Sequence, residues 1–265
     1  MMLQRILTAL VLLPLMLGML FYAPNGLWAF FCSLIALIAL WEYSRLCKME
    51  YQQKMPYLAG TALFMLLAHT GGWQLPALAW WLVLGFWLLV MPLWLKNKWS
   101  LPNDWKGLTV GWMLMLPFWF ALVGLRPEPE SALPLLAIMG LVWVADSFAY
   151  FVGRAYGKRK IAPSISPGKS WEGAAGGMLC AVIYMLLVRS AGWLGFETTW
   201  LGAACIAAIL TIVSICGDLL ESWLKRAAGV KDSSNLLPGH GGVFDRTDSL
   251  LAVLSVYAAI NFLFA

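Results

Sequence analysis

Apolar residues in this chain come in long runs separated by short polar gaps. A membrane-spanning helix needs about 20 mostly apolar residues, with a range near 17–25. Runs of that kind fall at about 5–22, 27–46, 57–72, 76–95, 108–125, 132–153, 173–191, 199–219 and 249–264. The pattern predicts an all-α, polytopic transmembrane helix bundle of about nine spans. The third run is short. The first begins like a signal peptide, with Arg5 ahead of an apolar core. It lacks a small-residue cleavage site and leads straight into another run, so it reads as an anchor.

Composition agrees with the pattern. Hydrophobic residues make up 62% of the chain and charged residues 12%, and the mean hydropathy is +0.77. A soluble domain carries about twice that charge, ~25%. So few polar groups could not cover the surface in water, and the bilayer must be the solvent for most of the chain. The net charge of +5 would raise nucleic acid as a partner for a soluble protein. Here the basic residues lie in the gaps between apolar runs, where anionic headgroups and topology selection act, so no nucleic acid is expected.

The gaps also orient the bundle. With the N-terminus cytoplasmic, the inner segments hold Arg5; Arg45, Lys48 and Lys54; Lys96, Lys98 and Lys106; Arg154, Lys158, Arg159, Lys160 and Lys169; and Lys225, Arg226, Lys231 and Arg246. That is sixteen of the 18 basic residues, with Arg126 and Arg189 outside. The positive-inside rule therefore supports nine spans with the C-terminus outside. The long inner connections follow the sixth and eighth runs, so function is expected in a C-terminal region, 131–265, with 1–130 as a transmembrane scaffold. Five scattered cysteines without CxxC spacing read as packing residues.

Charge within a span is costly and marks function by default, which singles out Asp146 as a polar wall of a site opening inward. The segment Ser166-Pro167-Gly168-Lys169-Ser170 follows. It is no P-loop, because Pro163 stands where the first Gly belongs and no buried strand precedes it. Ser166 could cap a helix, Pro167 suits a first helical turn, and Lys169 supplies a point charge for a phosphate.

After the eighth run, Asp218, Ser222 and Lys225 share one helical face, and Glu221 and Lys225 form an i,i+4 pair. Asp245 and Asp248 stand i,i+3 at the next helix start. Capping would explain one of them. Both, with Asp218, can build a hard oxygen site of the kind Mg²⁺ takes alongside substrate phosphates. Lys225, Arg226, Lys231 and Arg246 add the positive charge a triphosphate needs, and the glycines around His240 let backbone approach a ligand. The residues alone describe a membrane-embedded, Mg²⁺-dependent handler of phosphate groups, suited to a nucleotide and a lipid phosphate.

Residues 222–248 resemble the phosphatidate cytidylyltransferase, or CDP-diacylglycerol synthase, family. Ser222, Leu224, Lys225, Arg226, Lys231, Asp232, Ser234, Leu237, Pro238, His240, Gly241, Gly242, Val243, Asp245, Arg246, Thr247 and Asp248 fit its pattern without a departure. The segment 166–173 resembles a second, looser family motif. The resemblance implies transfer of a cytidylyl group from CTP to phosphatidic acid, giving CDP-diacylglycerol and pyrophosphate. It implies Asp218, Asp245 and Asp248 as metal ligands for Mg²⁺, with a monovalent cation such as K⁺ beside it. Lys225 and Arg246 would act on the reacting phosphates, while Ser166, Lys169, Ser222, Arg226, Lys231, His240, Gly241 and Gly242 would bind substrates. It further implies a homodimer in a bacterial inner membrane with its site facing the cytoplasm. Two rivals make contrasting demands: a CDP-alcohol phosphotransferase needs an Asp-Gly motif opening that is absent here, and a transporter needs charge along several spans.

Overall fold

The structure, a computed structural model, describes residues 2–101 and 103–264; the side chain of Arg5 lies outside the described residues. Nine long helices run through the described residues: α1 (Met2–Tyr22), α2 (Asn25–Leu46), α3 (Tyr51–Thr70), α4 (Ala77–Asn97), α5 (Trp105–Gly124), α6 (Ala132–Tyr156), α7 (Trp171–Ser190), α8 (Trp200–Ala228) and α9 (Phe244–Phe264). Each predicted run matches one of them, overrunning it by at most two residues at an end. By length and composition, α2 and α4 to α9 are apolar enough to cross a membrane, seven helices in all. The part of α1 with described side chains, Leu7–Tyr22, is apolar but shorter, and α3 opens on the polar Tyr51-Gln52-Gln53-Lys54.

The outside of the bundle is apolar. Leu10, Leu78, Leu89 and Leu201 are all more than 60% exposed, as side chains facing lipid should be. The centre is α9, where Leu251, Ala252, Val253, Leu254, Val256, Ala258 and Ala259 are at most 1% exposed. It packs on α8 and α6 and also on α2, α4 and α5, so helices from both ends of the chain share one core.

Apolar contact drives helix association weakly in lipid, so close approach and hydrogen bonds have to hold the helices together. Aromatic donors supply several bonds. Trp28 donates to the Leu122 carbonyl (3.0 Å), Tyr43 to Gly107 (2.9 Å), Tyr57 to Leu108 (2.8 Å) and Trp119 to the Ser33 hydroxyl (2.8 Å). Close approach comes from glycine. Gly173 and Gly177 lie one turn apart on α7, and a Cβ on either would stand 2.7 or 2.6 Å from a carbonyl oxygen of α6. The two basic residues expected outside are used locally. Arg126 donates to the Leu20 and Ala23 carbonyls at the C-terminal end of α1, and Arg189 donates to the Thr198 carbonyl.

One expected element is replaced. Instead of a helix opening at Ser166-Pro167, two short antiparallel strands, β1 (Lys160–Ala162) and β2 (Ser166–Ser170), form a hairpin between α6 and α7. Ser166 therefore caps nothing there. The helix begins at Trp171, capped by Ser170, whose hydroxyl accepts from the Gly173 amide at 3.2 Å. Pro167 is tolerated in so short a strand because a two-stranded hairpin is all edge.

Candidate active site

A cavity of about 820 Å³ lies at one end of the bundle among the C-terminal end of α6, the hairpin, the last turns of α8 and the first turns of α9. Helix α8 has 29 residues, which at ~1.5 Å each is about 43 Å, well beyond a ~30 Å hydrocarbon core. Its polar turns from Asp218 onward can thus stand at the interface. Helix α9 meets it through Gly217, where a Cβ would lie 2.7 Å from the Asp248 carbonyl oxygen. That absent side chain lets Asp218 and Asp248 stand on facing helices.

Asp218, Glu221 and Asp248 converge, with one carboxylate oxygen from each within 4.8 Å of the others. Lys169, from β2, reaches Asp218 at 2.5 Å, and the Ser222 hydroxyl donates to the other Asp218 oxygen at 3.3 Å. One Glu221 oxygen pairs with Lys225 at 2.7 Å. The other is buried without a hydrogen-bond partner. Three carboxylates so close repel one another unless a cation or protons lie between them. An orphaned oxygen beside two more carboxylates is a donor set that fits a hard divalent ion.

Asp245 lines the same cavity, but its oxygens are taken up by Lys225 and the loop before α9. One of its oxygens accepts from Lys225 at 2.7 Å, and the other from the Ser233 amide (2.9 Å), the Ser233 hydroxyl (2.9 Å) and the Gly242 amide (2.7 Å). Its side chain is 3% exposed. Of the three expected metal ligands, the structure brings Asp218 and Asp248 together and joins them to Glu221, for which the sequence predicts an i,i+4 pair with Lys225. Asp245 braces the loop.

A family model described as the cytidylyltransferase family matches residues 3–264. The chain belongs to that family. It is 42% identical over 263 residues to a phosphatidate cytidylyltransferase of Pseudomonas aeruginosa, covering 97% of this chain and 96% of the relative. It is 34% identical to one of Haemophilus influenzae, covering 98% of each chain. A third, of Bacillus subtilis, is 46% identical over 114 residues, covering 43% of this chain and 42% of the relative. The family match spans the N-terminal helices, which carry no motif, as well as the C-terminal loops.

Around the carboxylates, this family member lines the cavity with Asp146, Ser166, Lys169, Lys225 and Arg246 as expected, and with Arg154, Lys160 and Asp232 besides. The Ser214 hydroxyl donates to Asp146 at 3.4 Å. The expected residues Arg226, Lys231 and His240 are not in that lining. Arg226 donates to the Ile165 carbonyl (3.4 Å) and so ties α8 to the hairpin. Arg246 donates through Nε to the His240 carbonyl (3.0 Å), and the His240 Nδ1 is buried without a partner. Lys231 is exposed. The glycines serve the protein's own packing. Gly241 has φ +84°, and a Cβ there would lie 2.7 Å from an Asp245 oxygen; one on Gly242 would meet Ser233 and Glu42.

Glu42 is the residue that sequence reasoning missed. It lies on α2, fully buried, and accepts from the Ser234 hydroxyl, the Ser233 hydroxyl (3.1 Å), the Val243 amide (3.1 Å) and the Phe244 amide (2.6 Å). The only signal was a lone acid near the end of an apolar run, Leu40-Trp41-Glu42-Tyr43.

Proposed function

We propose that the cavity is where CTP meets phosphatidate, and that Asp218, Glu221 and Asp248 hold Mg²⁺ there. The reaction is transfer of a cytidylyl group from CTP to phosphatidic acid, giving CDP-diacylglycerol and pyrophosphate. The carboxylate cluster carries the reading, with its orphaned Glu221 oxygen beside Lys169 and Lys225 at one end of an apolar bundle. Six carboxylates and five basic groups line the cavity, so its own charge is near balance. A triphosphate would add about four negative charges, which metal ions normally offset in phosphoryl transfer.

A lipid phosphate oxygen attacks the α-phosphorus of CTP, and pyrophosphate leaves in line. A bound Mg²⁺ would supply charge neutralisation on the phosphate oxygens. The remainder is positioning and electrostatics by fixed groups. Lys225, held between Glu221 and Asp245, presents a positive charge that cannot wander. Among the described residues Lys169 is ion-paired with Asp218 alone, so it can exchange that carboxylate for a phosphate. Arg246, exposed at the mouth, reaches a phosphate with the part of its guanidinium not used on His240. The same reading places the protein in a bacterial inner membrane as a homodimer, with a monovalent cation beside Mg²⁺ and the cavity end toward the cytoplasm. The charge bias of the loops supports that orientation.

The test is direct. Protein purified in detergent and given labelled CTP and phosphatidic acid should release a lipid-soluble cytidine product with Mg²⁺ and none after EDTA. Product undiminished in EDTA contradicts the metal assignment; no product in either condition contradicts the reaction.

A further inference from the structure

The buried carboxylate of Glu42 has no part in the metal cluster, yet it is tied to the segment that carries Asp245 and Asp248. It lies 191 residues before Ser233 and 202 before Phe244, so α2 reaches across to the opposite end of the sequence. Four donors meet its two oxygens. Two are the Val243 and Phe244 amides (3.1 and 2.6 Å) at the start of α9, where a helix leaves amides unpaired and favours a negative charge. The other two are the hydroxyls of Ser233 and Ser234. Ser234 in turn accepts from the Leu236 amide at 3.1 Å. The Ser233 hydroxyl stands between two carboxylates, 3.1 Å from Glu42 and 2.9 Å from Asp245. A continuous chain therefore runs Glu42, Ser233, Asp245, Lys225, Glu221. It begins in the N-terminal scaffold and ends at the carboxylate cluster. A buried carboxylate needs full hydrogen-bonding to be tolerated, so none of these donors can shift without cost to the others.

We propose that Glu42 is a positioning residue for cytidylyl transfer: it fixes where α9 begins and how residues 233–244 lie, and thereby holds Asp248 against Asp218 and Glu221. The proposal rests on the reading of the cavity as the transfer centre. Glu42 touches no reacting atom in this account and acts through α9 and Asp245. Asp248 lies four residues beyond Phe244, about one helical turn, so a shift of the helix start is passed on to its carboxylate directly.

The test uses Glu42→Gln in the full-length protein in detergent. Glutamine keeps the shape, but one accepting oxygen becomes a donor and the negative charge is lost. Misplacement by about 1 Å can cost about a hundredfold. Turnover is therefore expected to fall between about tenfold and a hundredfold. KM for CTP should stay within about twofold, and the Mg²⁺ concentration for half-maximal turnover should rise. A lower melting temperature with wild-type turnover per folded molecule, and wild-type Mg²⁺ dependence, overturns the proposal. Ser234→Ala removes one donor and leaves the other three, and serves where Glu42→Gln does not fold. Reduced turnover with raised Mg²⁺ demand supports the proposal; wild-type values of both overturn it. Wild-type protein run alongside separates the two readings. If it forms no lipid-soluble cytidine product, cytidylyl transfer fails as well; if it is active and both variants match it, Glu42's role alone fails.

Discussion

Asp245 and Asp248 sit one turn apart, and their surroundings give them different tasks. Asp245 accepts four hydrogen bonds, one from a lysine, whereas Asp248, among the described residues, accepts only from the Ser249 amide at 2.8 Å and joins the carboxylate cluster. Breaking a buried, hydrogen-bonded ion pair by removing one charge costs about 3–5 kcal/mol. Asp245→Asn should accordingly lose stability on that scale, seen as an earlier transition when the protein is unfolded in detergent. Asp248→Asn should lose turnover and leave the transition nearly unmoved, since it relieves repulsion among three carboxylates. Equal melting behaviour in the two variants would contradict this division. The spacing of the two acids was legible in the sequence, because i,i+3 residues share a helix face whatever surrounds them. Their division of labour was not, because three of the four donors that capture Asp245 come from a loop whose path depends on Glu42, some 200 residues away in sequence.

Helices were easier to foresee than their contacts. Every apolar run falls on a helix to within two residues, since the backbone in lipid must satisfy its own hydrogen bonds. Ends were harder: α8 continues to Ala228 and α9 begins at Phe244, because polar turns at a membrane surface carry no hydropathy signal. The β1–β2 hairpin was invisible for another reason. Two strands of three and five residues are held by pairing with each other and by Arg226, and neither shows an apolar alternation. The decisive contact between elements is α8 on α9 at Gly217. Its Cβ would press on backbone, the Asp248 carbonyl at 2.7 Å, and on the Ala252 Cβ at 2.8 Å, neither of which can rotate away. Gly217→Ala should therefore push the two helices apart by a fraction of an ångström and lower turnover by about tenfold or more, as misplacement of reacting groups does. Turnover against CTP, corrected for folded protein, checks it; wild-type turnover would mean that the helix separation does not control the site.

Across the whole molecule, orientation in the membrane and the place of the reaction go together. The Thr8 hydroxyl donates to the Pro238 carbonyl at 3.0 Å, so the N-terminal part of α1 lies at the cavity's end of the bundle, where most basic residues are expected. In a variant lacking the five free cysteines, a single cysteine placed at 158 or 236 should react with an impermeant thiol reagent only from the cytoplasmic side. Labelling from outside in intact cells would reverse the orientation. The family and its reaction were legible from the residues at 222–248 alone. What the fold adds is the identity of the converging carboxylates and the scaffold that aims them. The measurement that bears most directly on that centre is turnover of Asp218→Asn beside wild type, with labelled CTP and phosphatidic acid across a range of Mg²⁺. A metal ligand facing a triphosphate needs its negative charge, so turnover should fall by at least about a hundredfold with little change in stability, and excess Mg²⁺ should not restore it. Near-wild-type turnover in Asp218→Asn would contradict the assignment of this cavity as the site of cytidylyl transfer.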